Sequence, residues 1–343
     1  EKSTNTHAQK QYKLGHVFYT SYDFTKYHSN ISIKTETHNQ FYKTKNKSVN
    51  DIDVSGDYLR IFPIAGITIK TPFKFKNTRN NFLFTPNASL VITPGKSNSN
   101  KLSNETSSNN FFTIENNSEL NRFTGNDKLD NSKRINYGIN VDNGKIKLAL
   151  SQNYEFTNNS NYHKEQGNND NLSDLLGDAG YTDDNMNIGY NFRYDPEINT
   201  LNRQELSLNY DNFTGIYKLN YLEEKSETNN IITDENETLN YNYESKKFKK
   251  FSKIKLNGLY DMQKNDNKEY GIGYSYFDEC FGINIDFNRK FYSDKDLKPQ
   301  DTLTMMFSFK NIGSYRSSNL AVSENDKQDI QWESNEISTE MFN

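Results

Sequence analysis

Along this chain apolar and polar residues alternate with period two, and near the end the alternation runs through three successive segments. In 269–276, Tyr270, Ile272, Tyr274 and Tyr276 alternate with Gly271, Gly273 and Ser275. In 280–288, Phe281, Ile283, Ile285 and Phe287 alternate with Gly282, Asn284, Asp286 and Asn288. The third segment sets Leu303, Met305, Phe307 and Phe309 against Thr304, Ser308 and Lys310. Successive strand side chains leave opposite faces, so each segment is a strand with one greasy and one wet face. Many such strands predict an antiparallel all-β sheet of the outer-membrane barrel type, with lipid outside and water inside.

The same pattern, punctuated by turn residues, predicts strands over 11–24, 28–43, 60–74, 83–93, 134–141, 145–156, 172–181, 186–194, 201–210, 213–223, 236–244, 251–262, 267–276, 279–291 and 301–312. The stretch 172–181 alternates poorly, and Leu175-Leu176 could begin a short helix. Asp142-Asn143-Gly144 is the strongest turn, because Asn-Gly adopts the positive φ values of a tight hairpin. If the last strand ends in the periplasm, the external connections are 292–300, 263–266, 224–235, 195–200, 157–171, 94–133 and 44–59. The internal ones are 277–278, 245–250, 211–212, 182–185, 142–144, 75–82 and 25–27. Nearly every long loop falls on one side, as expected of an outer-membrane barrel. Single-chain barrels of this type have an even number of strands, and about fifteen are counted, so strands are expected upstream. The barrel portion is placed at 1–313, with the long external loop 94–133, and an acidic, non-alternating tail at 314–343.

Composition supports strands over other membrane-crossing or soluble solutions. Of 343 residues only 33% are hydrophobic, and the mean hydropathy is -0.98, too polar for a conventional core of that size. Yet 14% are aromatic, with 23 Tyr, 23 Phe and only 6 Pro, which a disordered chain would lack. No apolar run reaches the roughly 18 residues of a spanning helix. A net charge of -4 gives no basic excess for nucleic acid. Glu1 to Lys10 lacks the apolar region of a secretory signal, and with Glu rather than Met first the chain reads as a processed or truncated piece. The lone Cys280 has no partner within the chain, so it is either a free thiol at a strand end or paired with a cysteine elsewhere.

The 94–133 loop, about forty residues, is longer than a structureless connection usually is. It carries Asn104, Glu105, Thr106 and Ser107, then Asn121, Arg122, Phe123, Gly125 and Asp127, and then Arg134, Tyr137 and Gly138 as a strand begins. By itself this is a polar surface loop with Asx and glycine turns. These residues also resemble a family, the outer-membrane lipopolysaccharide-assembly proteins LptD, or organic solvent tolerance proteins. Its barrel carries N-E-D-S followed by N-R-F-x-G-x-D-R-x-E-x-G-x-R-x-x-Y-G. The chain departs at Thr106, Lys128, Asp130 and Asn131, where the family tends to have Asp, Arg, Glu and Gly; Lys128 and Asp130 keep the charge. A second resemblance joins Asp278, Glu279, Cys280 and Phe281 with Arg289 and Pro299 and a closing apolar strand. Weaker echoes occur in order at Arg60 to Pro63 with Thr71 to Phe73, and at Asn191 to Asp195.

The resemblance implies the C-terminal part of a lipopolysaccharide translocon barrel in a Gram-negative outer membrane. It further implies an LptE-like lipoprotein plug inside the barrel and a periplasmic lipopolysaccharide-bridge protein, reached through an N-terminal domain absent here. Cys280 would form its disulfide with that domain. The closing strand, with Leu303, Met305, Phe307 and Phe309, would be one side of a lateral gate through which acyl chains pass while the sugars cross the lumen.

No catalytic constellation, cofactor motif or metal-ligand spacing is present in the sequence, so the chain is not expected to be an enzyme. Most of His7, His16, His28, His38 and His163 read as solvated strand or loop residues. Arg193, Lys218, Asn284 and Asp286 are inward candidates for contact with a sugar phosphate, or simply residues of a wet lumen. The rival readings are a passive porin or solute channel and a soluble β-rich binding module; an outer-membrane enzyme is more distant, because no Ser/His pair can be placed.

Overall fold

The computed structural model describes residues 10–49, 52–76, 81–94, 98, 106–107, 112–157, 167–169, 171–228, 231–246, 251–291, 300–310, 312–317, 320–321 and 332–335. The strands are β1 (Lys10–Lys26), β2 (Ser29–Val49), β3 (Ile52–Lys70), β4 (Phe73–Lys76) and β5 (Asn81–Ile92), followed by the one-turn helix α1 (Ile114–Asn117). Then come β6 (Lys133–Asp142), β7 (Ile146–Glu155), β8 (Asn168–Asn169), β9 (Leu172–Ser173), β10 (Leu175–Asp183), β11 (Met186–Asp195), β12 (Thr200–Asp211), β13 (Gly215–Thr228) and β14 (Ile231–Ser245). The chain ends in β15 (Ser252–Asp261), β16 (Asp266–Phe277), β17 (Phe281–Lys290), β18 (Gln300–Phe309), β19 (Gly313–Ser317), β20 (Leu320–Ala321) and β21 (Trp332–Asn335). No described helix is long and apolar enough to cross a membrane.

All fifteen expected strand segments are strands. The doubtful one, 172–181, is β9 and β10, because its backbone groups enter the ladder whatever its side-chain pattern: Tyr154 of β7 pairs with Leu172. Two expected loops are not loops. Of 44–59, β2 continues to Val49 and β3 begins at Ile52, and of 224–235, β13 continues to Thr228 and β14 begins at Ile231. The β2–β3 hairpin absorbs a register shift between Thr44 and Lys47, where Asn46 takes a left-handed φ of 57°, a conformation Asn adopts readily.

The chain divides into two compact units. The first comprises Glu1–Ala179, Asn191–Asn202 and Ser226–Thr233. Here β1 pairs with β2, β2 with β3, β3 with β5, β5 with β6 and β6 with β7, all antiparallel. Tyr27 and His28, both at positive φ, make the tight turn between β1 and β2. Gly144, at φ 89°, does so after β6, where the Asp142 carboxylate accepts the Gly144 N–H at 2.6 Å.

The second unit comprises Gly180–Tyr190, Arg203–Lys225 and Asp234–Asn343. Within it β12 pairs with β13, and β14 through β18 form a meander of antiparallel neighbours. The chain past 312 is not all tail. Beyond Ile312, whose N–H reaches the Phe309 carbonyl at 3.1 Å, β19 folds back on β18, β20 extends the pairing at Leu303, and β21 adds to β19.

In both units the burial is inverted relative to a water-soluble sheet. Ile61, Ile67, Ile69, Leu90, Ile92, Leu148 and Leu150 are exposed in the first unit and Leu206, Leu219, Ile272 and Tyr274 in the second. Their polar neighbours Ser89, Arg134, Asn136, Asn153, Ser275 and Ser308 are buried. An exposed apolar face of this extent is stable only against lipid, so that face is the outer one and the polar face the inner one.

Candidate functional site

The inner face of the first unit is covered by the chain's own long loop. Phe62 and Ile64 of β3 and Val91 of β5 point inward and pack with Leu120 and Leu129 of the loop; a second cluster joins Phe112, Phe123 and Leu176. Burying each such side chain contributes roughly 1.5–3 kcal/mol, which gives the loop a fixed seat. The loop enters α1 through a capping box in which the Thr113 hydroxyl accepts the Asn116 N–H and the Asn116 side chain accepts the Thr113 N–H.

At the centre of the contact four charges are excluded from water. The Arg122 guanidinium, fully buried, lies 2.6 Å from Asp130 Oδ2 and 2.5 Å from Glu155 Oε1, with its carbon 4.5 Å from the Phe112 ring centroid. Arg134 of β6 reaches the same Asp130 oxygen at 3.1 Å and donates to the Glu119 carbonyl. Ser132 Oγ donates to the second Glu155 oxygen at 2.6 Å. Two guanidinium ions against two carboxylates balance the charge, which is the condition for burying any of them. Asn117 donates to Ser151 Oγ at 2.8 Å and accepts from Asn153 at 2.7 Å, tying α1 to β7.

A second anchor holds the loop's far end. Ser107 Oγ accepts the N–H groups of Asp127 and Lys128, both at 2.9 Å. Asp127 accepts the Thr106 N–H at 2.8 Å and its hydroxyl at 2.7 Å, and pairs with Lys13 of β1. Arg60 donates to the carbonyls of Asn126 and Asp127 at 2.9 and 2.7 Å, and Asn121 Oδ1 accepts the Asp130 N–H at 2.9 Å. Gly125 has φ 79°, and a Cβ there would stand 2.1 Å from the Thr106 carbonyl oxygen, so no other residue fits.

Thus Ser107, Asn121, Arg122, Phe123, Gly125, Asp127 and Arg134 converge on one loop-to-wall contact. Tyr137 does not join it: the residue is 41% exposed on the outer face, its hydroxyl 2.7 Å from Gln152 Oε1. Gly138 faces inward, where a Cβ would meet the Leu150 carbonyl oxygen at 2.5 Å. Asn104 and Glu105 lie outside the described residues. Sequence reasoning flagged Asp130 only as a departure that keeps the charge and missed Lys13 and Glu155, which are remote in the chain and in no motif. His38 is buried rather than solvated, with Nε2 3.1 Å from Glu36 Oε2. Arg193 is also withdrawn from solvent, 3.1 Å from Asp174.

The second motif forms the β16–β17 turn. Asp278 Oδ1 accepts the N–H groups of Cys280 at 2.9 Å and Phe281 at 2.7 Å, and its other oxygen accepts the Tyr276 hydroxyl at 3.0 Å. These donors, the Cys280 N–H foremost, hold its carboxyl below the ordinary carboxylate range. Cys280 is an exposed free thiol and Glu279 is exposed beside it. Phe281 packs against Phe309, and Arg289 lies 3.3 Å from Asp301. Pro299 lies outside the described residues. Leu303, Met305, Phe307 and Phe309 stand on the outer face, opposite Phe287, Ile285, Ile283 and Phe281 of β17. The other edge of β18 is paired by β19 and β20, so this strand is not the last of the sheet.

Lys218 is exposed, while Asn284 accepts from Ser275 at 2.5 Å and donates to Asp286. Among the described residues no group of three or more His, Cys, Asp or Glu is placed to hold a metal ion.

An antiparallel all-strand chain with an apolar outer face and a polar, loop-covered inner face is a transmembrane β-barrel portion of the outer-membrane type. Residues 17–266 match the family model described as LptD, LPS transport system D, and the chain belongs to that family. No curated protein matches it. Among solved structures, the siderophore receptor PirA from Acinetobacter baumannii aligns with 90% of this chain at 8% identity and a TM-score of 0.44. The chain covers 58% of that receptor's length. A mutant of Rh. blastica porin aligns with 84% of this chain and 93% of its own at 9% identity and a TM-score of 0.31.

Proposed function

We propose that this chain is the membrane-embedded part of a translocon that delivers lipopolysaccharide to the outer leaflet of the outer membrane of a Gram-negative cell. The match of residues 17–266 to the LPS transport family carries this reading, and the inverted burial supports it physically. A polar inner face accommodates saccharide and phosphate, while acyl chains stay in lipid and avoid water. No bond is made or broken in such transfer, so no catalytic residue or cofactor is needed. In this reading an LptE-like lipoprotein occupies the lumen, a periplasmic bridge protein delivers the lipid, and Cys280, exposed at its turn, is free to reach a cysteine of an N-terminal domain.

The test is depletion of the full-length protein in its own cell, with newly made lipopolysaccharide at the surface quantified by surface-restricted labelling. Loss of surface delivery with normal synthesis, while other barrels still assemble, is the expected outcome. Unchanged delivery would overturn it in favour of a solute channel.

A further inference from the structure

The regular wall of the second unit stops at the edge of β18 away from β17. On its inner edge side β17 faces all 10 residues of β18, from Phe281 opposite Phe309 to Lys290 opposite Gln300. On the other edge β19 faces Met306 to Phe309, and β20 faces Thr302 and Leu303. Between those two stretches the Met305 N–H is received by a side chain, Ser317 Oγ at 2.9 Å. A hydroxyl standing where a strand carbonyl belongs patches a ladder and does not extend it.

Length and pattern also set β19 and β20 apart from the wall. A barrel strand needs roughly 9–11 residues to cross the hydrocarbon. The strands β14 to β18 have 15, 10, 12, 10 and 10 residues, whereas β19 has 5 and β20 has 2. Phe307 and Phe309 look outward, and the β19 residues opposite them are Tyr315 and Gly313. Ser314 and Arg316 take the inner positions, opposite Ser308 and Met306. Thus β19 offers lipid a tyrosine and a glycine, where β16, β17 and β18 each present a row of large apolar or aromatic residues.

An edge of this kind has two different needs. In hydrocarbon every backbone N–H and C=O along a wall strand requires a partner, which takes a strand as long as β18 itself. In water an uncovered strand edge recruits other chains, and a short polar cover is enough to prevent that. The fold-back meets the second need and is too short for the first. It is also local: the connection 310–312 is a tight one, with the Ile312 N–H on the Phe309 carbonyl at 3.1 Å, so its pairing precedes any with a strand distant in the chain.

We propose that the outer edge of β18 is a docking surface for a strand of spanning length from elsewhere in the full-length chain, and that β19 with β20 is a displaceable guard holding this edge until that strand arrives. The guard needs only the barrel architecture and is independent of what the barrel carries.

The test uses the full-length protein in its own cell with two cysteine pairs, Met306→Cys with Arg316→Cys and Phe307→Cys with Tyr315→Cys, each pair directly opposite in the register. Neighbouring opposite pairs alternate between the wide and the close kind of antiparallel neighbour, so one of the two suits a disulfide. Each single variant controls for links to the native thiol of Cys280. Newly made chains, still without the compact mobility of an unheated barrel on gels, form the cross-link on oxidation. Chains linked at that stage do not reach the compact form, and a thiol reductant restores them. Barrels assembled under reductant and oxidised afterwards have lost the cross-link. An undiminished link in assembled barrels, or normal assembly of linked chains, makes β19 a permanent strand and overturns the guard. Absence of the link from newly made chains in both pairs overturns it as well. Unchanged surface delivery on depletion, with a cross-link confined to unassembled chains, overturns the transport reading alone.

Discussion

At the scale of single residues, the strongest constraints are polar groups with nowhere else to go. Arg122 is enclosed by Asp130, Glu155 and Phe112, so truncating it leaves Glu155 buried without its cation and Asp130 with Arg134 alone. Arg122→Ala is expected to cost about 3–5 kcal/mol, read as a lower urea midpoint for the assembled barrel. Glu155→Gln, which keeps the shape and an acceptor, is expected to cost less. Asp278 acts in a different setting, half-buried at a turn beside exposed residues. Its folded pKa is depressed by the Cys280 and Phe281 N–H groups, so its contribution to the turn is complete above the ordinary carboxylate pKa and is lost as pH falls through the folded value. Protease sensitivity of the β16–β17 turn should therefore rise on acidification in the native chain, and in Asp278→Asn should no longer change over that window. The role of Arg122 could be suspected from its motif, since a motif arginine in a long loop invites a carboxylate partner. That the partner includes Glu155 could not, because nothing local to either residue links them.

At the scale of elements, period two is the readable signal wherever one face meets lipid. It located β15 through β18 because their outer residues must be apolar. It failed on the outer parts of β2 and β3, where Lys43 to Ser48 are polar on both faces and only backbone hydrogen bonds continue the hairpin. Inner-face glycines have a different legibility. Gly273 makes room for Asp286 Oδ1, the mobile end of a side chain that a Cβ would approach at 2.5 Å, whereas Gly138 faces the Leu150 backbone oxygen at the same distance. Gly273→Ala is expected to assemble and Gly138→Val to lose folded barrel on unheated gels, because a side-chain end can shift and a paired backbone cannot. The faces themselves are tested by Ile272→Arg, expected to cost about 2–4 kcal/mol if it lies near the bilayer midplane, against Asn284→Arg on the inner face, expected to be tolerated.

At the scale of the whole molecule, the strand sequence assigns sides to the turns. The β6–β7 turn at Asn143 and the β16–β17 turn at Cys280 are expected to face the periplasm, and the β15–β16 turn at Asn265 the exterior. In intact cells an impermeant thiol reagent should label Asn265→Cys and spare Asn143→Cys; the reverse would invert the orientation.

The chain by itself determined the fold class, the position of its strands and which face of each meets lipid. Those follow from a solvent contrast that acts on every residue locally: an outward side chain in hydrocarbon must be apolar, and the next one along need not be. Only the tertiary structure decided where the loop goes, that β18 is continued by β19, and that Lys13, Glu155 and Asn136 belong to the same inner surface as the loop motif. These are contacts between residues far apart in the chain, governed by shape and by charge balance in a space that no periodicity encodes.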